Sequence, residues 1–159
     1  MIRLVKACDW ERLQEARLRA LATDPYAFVE TLEEAERFLE PDWRRRATPT
    51  ETRAAFVEER DGSFAAMVAA FVDEDQTTVY LVGMWVSPEL RRTGIAVELV
   101  EQVLSWARQN GRTRVLLSVA AGNDRAARLY TKCGFVEIPR PAGFPYEPNA
   151  DERFYEYEM

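Results

Sequence analysis

Residues 79–111 read VYLVGMWVSPELRRTGIAVELVEQVLSWARQNG, and this stretch predicts the centre of the fold. It begins with a run of β-forming residues and reaches Ser87-Pro88, where we expect the strand to end because proline fixes φ and lacks an N–H group. A short loop containing Gly94 then leads into a segment with helical periodicity. Asn110-Gly111 is a typical end for such a helix. Its apolar positions recur at spacings of three and four: Ala96, Leu99, Val100, Val103, Leu104 and Ala107.

The loop before this helix has the features of an anion site. The first turn of a helix leaves backbone N–H groups without partners, and the helix macrodipole adds positive potential there. Gly94 permits close approach of a ligand, and Arg91 and Arg92 supply forked donors suited to phosphate oxygens. We therefore predict a phosphate or pyrophosphate site at the start of the helix. The alternative is an ordinary helix entry whose arginines are solvated.

Charge and hydropathy narrow the classes of partner. The 159-residue chain carries a net charge of −6, which argues against a sequence-independent grip on nucleic acid and against attraction to an anionic membrane. No apolar run approaches membrane-spanning length, and the N-terminus lacks the long apolar core of a signal peptide. We therefore expect a cytoplasmic protein with no nucleic-acid or membrane partner.

The chain contains no histidine, and this limits its chemistry. We expect no metal site, and Ser-His or Cys-His nucleophiles are excluded. Cys8 and Cys133 belong to no CxxC motif, and we expect both to fill small spaces in the core. Acid–base catalysis must then use carboxylates, tyrosine, lysine, water or the substrate itself.

The remaining segments alternate between strand and helix patterns. Thr31 and Glu34 have the spacing of a capping box; we expect Pro41 to interrupt the helix that they begin and Asp42 to cap a further turn. Other strands are expected near residues 2–5, 53–60, 63–72, 115–119, 135–138 and 154–159, and other helices near 9–21 and 123–133. The order βααβββαβαββ predicts one mixed α/β domain over residues 1–159, with a central mixed β-sheet flanked by helices.

A second informative segment runs from Asn123 to Phe135. Asn123 lies at a predicted strand-to-helix junction, where its amide either binds a ligand or caps the helix. Tyr130 follows two helical turns later, so the two side chains can face one cleft. A phenol can donate a proton to a leaving group. The alternative is a tyrosine packed in the core with its hydroxyl at the edge.

Two motifs together resemble those of the GNAT superfamily of acyl-CoA-dependent N-acetyltransferases. They are Arg91-x-x-Gly94-x-Ala96 and Asn123-x6-Tyr130-x3-Gly134-Phe135, in this order and in this strand–helix context. The resemblance implies a single-domain GNAT-like fold. It also implies acetyl-CoA as the co-substrate and direct transfer of the acetyl group to an amine in a ternary complex, with no protein nucleophile.

The resemblance also assigns roles to particular residues. The end of the central strand would pair with the pantetheine arm through Met84, Trp85 and Val86. Asn123 would bond the same arm, and Tyr130 would protonate the departing thiolate as general acid. The residues that would cradle the CoA pyrophosphate are Arg91, Arg92, Thr93, Gly94, Ile95, Ala96 and Val97.

The general base is not evident from the sequence. In the branch of the family that acetylates protein N-termini, a glutamate stands five positions before the asparagine, and here that position is Ser118. Glu30, Glu33 and Glu34 are candidates to act through water, or they serve as exposed helix-start carboxylates. Arg44, Arg45 and Arg46 form a wall of the acceptor site, contact the CoA phosphates, or form a solvated helix face.

The sequence does not identify the acceptor amine either. Tyr26, Phe28, Phe144 and Tyr146 are candidates to line an acceptor pocket, together with Glu30 and Glu33, or they simply cover the core.

The leading hypothesis is an N-acetyltransferase for a primary amine of a small molecule or peptide. A non-catalytic acyl-CoA-binding sensor is the alternative, favoured by the missing carboxylate at Ser118. Another kind of nucleotide-binding domain is disfavoured because no G-x-x-x-x-G-K-[ST] is present. The closing aromatic strand can pair with the edge of a second copy, which would give a homodimer.

Overall fold

The computed structural model describes residues 1–145 and 152–159. Its strands are β1 (Ile2–Leu4), β2 (Arg53–Arg60), β3 (Ser63–Val72), β4 (Thr78–Val86), β5 (Arg114–Val119), β6 (Val136–Ile138) and β7 (Arg153–Glu158). Its helices are α1 (Trp10–Thr23), α2 (Leu32–Glu36), α3 (Glu40–Ala47), α4 (Ile95–Gln109) and α5 (Asp124–Lys132). The strands form a seven-stranded mixed sheet in the order β1-β2-β3-β4-β5-β7-β6. The predicted mixed α/β class is confirmed.

The sheet opens at its centre. Strands β1 to β4 pair in antiparallel fashion, as do β5, β7 and β6, and the two halves meet at the parallel pair β4–β5. That pair joins only Thr78 to Arg114, Val79 to Val115 and Tyr80 to Leu116. Beyond Tyr80, β4 continues to Val86 with no registered partner on β5. The two strands therefore enclose a wedge at their carboxyl ends, which we call the central wedge.

A β-bulge in β4 lies beside the central wedge. Met67 of β3 pairs with Trp85, but Ala69 pairs with Val82, so two β4 residues, Gly83 and Met84, oppose one on β3. Gly83 has φ 64°, which glycine adopts without the cost that a Cβ imposes. A Cβ there would also lie 3.4 Å from Nη1 of Arg17 on α1. Bulges bend a strand and increase its twist, so this one helps to turn β4 away from β5.

Two apolar layers hold the sheet. On one face, α4 and α5 pack on β2 to β5 and bury residues such as Leu99, Val103 and Tyr130. On the other face, α1 and α3 pack around Phe64 and Trp85. Within the described residues, no helix has the length and apolar character needed to cross a bilayer, and no cluster of metal-binding side chains is found.

The predicted order of elements is confirmed with one correction. The single helix expected after Thr31 is two short helices, because the chain turns at residues 37–39 and places Phe38 edge-on against Trp43, 6.0 Å between ring centroids. The capping box is confirmed: the Glu34 N–H donates to Thr31 Oγ1 at 3.1 Å, and the Thr31 N–H donates to Glu34 Oε1 at 3.2 Å. Pro41 does not interrupt a helix; it lies in the first turn of α3, where its missing N–H costs nothing.

One of the two cysteines differs from the expectation. Cys133 is half-buried and packs against the main core, as expected for a small core residue. The prediction for Cys8 is wrong, because this residue is exposed in the 3₁₀ turn before α1. Its neighbour Asp9 takes the buried position and accepts hydrogen bonds from Arg3, Arg12 and the Lys6 N–H.

Leu99→Ala tests how far the fold depends on the contact between α4 and the sheet. Leu99 is fully buried, so its truncation should lower the free energy of unfolding by about 2–5 kcal/mol, measured by urea denaturation. Glu101→Ala on the exposed side of the same helix should change it by less than about 0.5 kcal/mol. Equal effects of the two variants would contradict the described packing.

Candidate functional site

The start of α4 presents a run of unsatisfied backbone donors to the mouth of the central wedge. Gly94 is the N-cap with φ 89°, and Arg92 also has a positive φ of 66°. The first N–H that has an internal acceptor is that of Glu98, which donates to Gly94 O at 3.1 Å. The N–H groups of residues 92–97 have no acceptor in the described parts of the chain. Such a run at the positive end of a helix dipole can bind an anion.

The side chains of this loop divide into two groups. Arg91 faces inward: its Nε donates to Val86 O at 3.1 Å and its Nη2 donates to Asp24 Oδ2 at 2.7 Å. The Thr93 hydroxyl donates to Leu90 O and shapes the turn. Arg92 is exposed and carries its charge at the amide run. Of the three predicted side-chain ligands, Arg92 thus remains available to an anion. Thr93 offers its backbone N–H, whereas Arg91 donates its backbone N–H to Pro88 O and its Nε and Nη2 groups to Val86 O and Asp24.

Asp24 joins three parts of the site. Its Oδ2 accepts hydrogen bonds from Arg91 and from Trp85 Nε1, the latter at 2.9 Å. Asp24 follows the last residue of α1, Trp85 belongs to the bulged end of β4, and Arg91 belongs to the loop before α4. One carboxylate therefore fixes the anion loop against the strand that borders the central wedge.

The predicted strand-end residues Met84, Trp85 and Val86 lie beside the open side of β4. Trp85 is buried against α1, whereas Met84 and Val86 pack against the core beneath α4. Because registered β4–β5 pairing ends at Tyr80, the backbone of these residues faces the central wedge on its β5 side. An extended ligand with amide groups can pair with such a strand edge as an added strand does.

Asn123 and Tyr130 lie on α5, which packs on the α4 side of the sheet. Asn123 Oδ1 accepts from the Ala126 N–H at 3.2 Å, so the capping role is confirmed, and its Nδ2 group has no acceptor within the described chain. Tyr130 is 5% exposed and its ring packs on Phe135 at 5.7 Å. Burial raises the pKa of Tyr130 well above its usual value, helped by Cys133, so the phenol stays protonated at neutral pH.

Glu30 was predicted as an acceptor-site residue or base, and its environment makes it a poor base. Its carboxylate accepts from Arg17 Nε at 2.9 Å and from Arg46 Nη2 at 2.9 Å. Burial alone would raise the pKa of Glu30, but the hydrogen bond from Arg46 and the charges of both arginines outweigh it and lower the pKa. Glu30 therefore anchors two arginines, of which Arg17 lies beside the Gly83 bulge.

The other predicted acceptor residues lie in different places. Phe28 packs beneath the Arg17 guanidinium at 4.4 Å, whereas Tyr26 is 84% exposed. Glu33 is exposed and paired with Arg37 on α2. Phe144 packs edge-on against Tyr80 and Phe154, at 5.6 and 5.0 Å. Tyr146 lies outside the described residues.

Sequence reasoning missed the contacts that organise this region. No sequence motif gave Asp24 or Arg17 a role in the site. In the triplet, Arg44 and Arg45 pair with nearby Glu40 and Asp42, as a solvated helix face would, but Arg46 turns inward to Glu30. The partners are distant in sequence, and no local pattern marks such pairs.

Comparison with known proteins defines the family. The model of the acetyltransferase (GNAT) family matches residues 13–135. This span includes the α4 amide run, the central wedge and Tyr130. The chain belongs to the GNAT acetyltransferase family, as the two sequence motifs had indicated.

Curated relatives align with part of this chain. An aminoglycoside N(6')-acetyltransferase type 1 from Acinetobacter baumannii is 37% identical over 76 residues, which are 46% of this chain and 52% of the relative. A probable N-acetyltransferase HLS1 from Arabidopsis thaliana is 38% identical over 64 residues, 40% of this chain and 16% of that protein. The matched region thus spans about half the length of the first relative and less of the second.

Solved structures share the whole fold. The GNAT domain of S. lividans PAT has a TM-score of 0.79 at 16% identity, covering 99% of this chain and 89% of that one. YncA from Salmonella typhimurium, a structure described with its cofactor acetyl-CoA, has a TM-score of 0.74 at 18% identity, covering 99% and 92%. At these identities the likeness shows the fold alone.

Asp24→Ala tests the junction between the anion loop, β4 and α1. Its removal leaves Arg91 Nη2 and Trp85 Nε1 without their acceptor, so the free energy of unfolding should fall by roughly 1–3 kcal/mol in urea denaturation. The matched control is Glu33→Ala, which breaks an exposed ion pair and should cost less than about 1 kcal/mol. A loss for Asp24→Ala no larger than that of the control would rule out the junction.

Proposed function

We propose that this protein is an acetyl-CoA-dependent N-acetyltransferase that acts on a primary amine of a small molecule or peptide. The observation that carries the proposal is the run of free N–H groups at residues 92–97, placed at the mouth of the central wedge. The family model and the acetyl-CoA-bound neighbour support the choice of co-substrate.

In this proposal the chain binds acetyl-CoA along the central wedge. The amides of residues 92–97 and the Arg92 guanidinium hold the pyrophosphate, because both supply donors and positive potential. The backbone of residues 84–86 pairs with the amides of the pantetheine arm, and the free Nδ2 group of Asn123 donates to it from the opposite side. This arrangement places the thioester near the bulge in β4.

The reaction is direct attack of the amine on the thioester carbonyl carbon. The protein holds both reactants in one site, which replaces a bimolecular encounter with an oriented one. Tyr130 is protonated at neutral pH and donates its proton to the sulfur as the C–S bond breaks. No protein nucleophile takes part, in keeping with the absence of histidine from the sequence.

Two observations support a cationic amine acceptor of low molecular weight. The relative from Acinetobacter baumannii is named for acetylation of an aminoglycoside amino group. The net charge of −6 favours approach of a cationic acceptor. A single domain over residues 1–159 and a cytoplasmic location stay predictions, as does a homodimer.

Tyr130→Phe tests the general acid. Loss of the hydroxyl should lower kcat by about 10²- to 10⁴-fold, because the thiolate then leaves without a proton. The dissociation constant for acetyl-CoA should change less than about twofold. Thiol release with a panel of amines measures the first quantity, and calorimetry measures the second. Unchanged kcat would remove the assignment, and wild-type binding without thiol release would favour a sensor.

Gly94→Glu tests the pyrophosphate site against a matched variant, Gly94→Gln. Both side chains meet the same backbone strain at φ 89°, but only glutamate places a negative charge at the amide run. Repulsion of a few kcal/mol should weaken acetyl-CoA binding about 100-fold more in Gly94→Glu than in Gly94→Gln, measured by calorimetry. Equal affinities of the two variants would place the pyrophosphate elsewhere.

A further inference from the structure

Glu152 carries a buried carboxylate oxygen without a partner. Its Oε2 is shielded from solvent and accepts no hydrogen bond. Among buried side-chain atoms of residues 1–145 and 152–159, it is the only carboxylate oxygen in this state. The residue as a whole is partly exposed, but a buried carboxylate oxygen without a partner is costly and calls for an explanation.

The strand register places Glu152 next to the part of β5 that borders the central wedge. Glu152 immediately precedes β7, where Arg153 pairs with Val119 and Phe154 pairs with Ser118. Ser118 and Val119 lie in the part of β5 beyond Leu116, its last partner on β4. The start of β7 is thus one strand away from the open edge of the wedge.

The alternation of side chains along β7 gives the face on which Glu152 lies. Arg153 reaches α5, where its Nη2 donates to Asp124 Oδ1 at 3.2 Å. Phe154 lies on the opposite face and packs on Phe144. Continuing the alternation of β7 one residue back puts Glu152 on the face of Phe154. Tyr155 packs in the α4 layer, so Phe154 and Glu152 lie on the opposite face, that of Trp85 and α1.

The surroundings of Glu152 favour binding of a proton by its carboxylate. Burial raises the pKa of Glu152 above its ordinary value, and the positive charge of Arg140 in the segment after β6 opposes this without cancelling it. The neighbouring Arg153 is directed to Asp124 on the other face. Glu30, by contrast, is held by two arginines that lower its pKa.

We propose that Glu152 binds the ammonium group of the acceptor and takes its proton. This inference rests on the proposed acetyltransferase function. The Glu152 carboxylate accepts one N–H proton from R–NH₃⁺ and releases it to solvent. The nitrogen lone pair then forms the C–N bond, the C–S bond breaks, and its electron pair stays on sulfur, which Tyr130 protonates. The second N–H proton of the attacking nitrogen replaces the one that Tyr130 gives up. The products are the amide, CoA thiol and one proton.

Glu152→Gln tests the assignment through the pH dependence of thiol release. The wild-type kcat/KM should fall as the pH drops through the pKa of Glu152, because protonation removes the base. Glu152→Gln should lower kcat/KM about 100-fold at neutral pH and abolish this acid limb. Its affinity for acetyl-CoA should stay within about twofold of the wild type. Its melting temperature at pH 8 should be no lower than that of the wild type, since a buried charge is removed.

Two further variants separate the loss of the Glu152 charge from a general effect of substitution in or beside β7. Glu156→Gln is the matched control, because Glu156 lies on the same strand face but pairs with Arg114, away from the wedge. It should keep kcat/KM within about threefold. Glu152→Asp keeps the charge on a shorter side chain, so it should retain the acid limb with reduced kcat/KM.

The outcomes separate this inference from the function on which it rests. Wild-type protein that binds acetyl-CoA but acetylates no amine would overturn the proposed function. An active wild type with an equally active Glu152→Gln would overturn only the role of Glu152. A loss in Glu152→Gln that is equal at every pH, or that comes with weaker acetyl-CoA binding, would show a structural role and would also overturn the proposal.

Discussion

The short parallel pairing between β4 and β5 is the constraint on which the rest of the structure depends. Only three residue pairs join these strands before they separate, and the bulge at Gly83 and Met84 turns β4 further away. A continuous sheet would leave no backbone free at its centre. The separation instead exposes one edge of β4 inside the molecule, next to the helix whose first amides lack acceptors. Strand edge and helix end together form a channel suited to a long ligand with amides and a pyrophosphate.

Around this channel, the paired charged groups hold the structure together, and the groups without partners are the candidates for binding and catalysis. Asp24 with Arg91, and Glu30 with Arg17 and Arg46, are satisfied groups that fix loops and helices in place. They are therefore poor candidates for chemistry, although they lie close to the wedge. Within the described residues, the groups without a protein partner around this channel include the amides of residues 92–97, Asn123 Nδ2 and Glu152 Oε2. Unsatisfied donors and acceptors are costly unless a ligand completes them, and this is why they mark the candidate site.

Local sequence patterns predicted the helices and strands, but they did not predict the contacts between residues far apart in the chain. β4 ends just before Pro88, Gly94 is the N-cap of α4, and Thr31 and Glu34 form the capping box of α2. Each of these signals acts within one turn of the chain, so the sequence alone reveals it. The Asp24–Arg91 pair joins residues 67 positions apart, and nothing local marks it. The same holds for Glu152, whose lack of a partner depends on what surrounds it in the fold. A single sequence shows which groups are present, but not which of them are already satisfied.

The central claim is that the amides opening α4 bind the pyrophosphate of acetyl-CoA. The most direct measurement is a titration of ¹⁵N-labelled protein with CoA, followed by the backbone amide resonances. We expect large, saturable shifts at residues 92–97 and small ones at residues 102–109, near the other end of the same helix. Saturable binding that leaves residues 92–97 unshifted would contradict it.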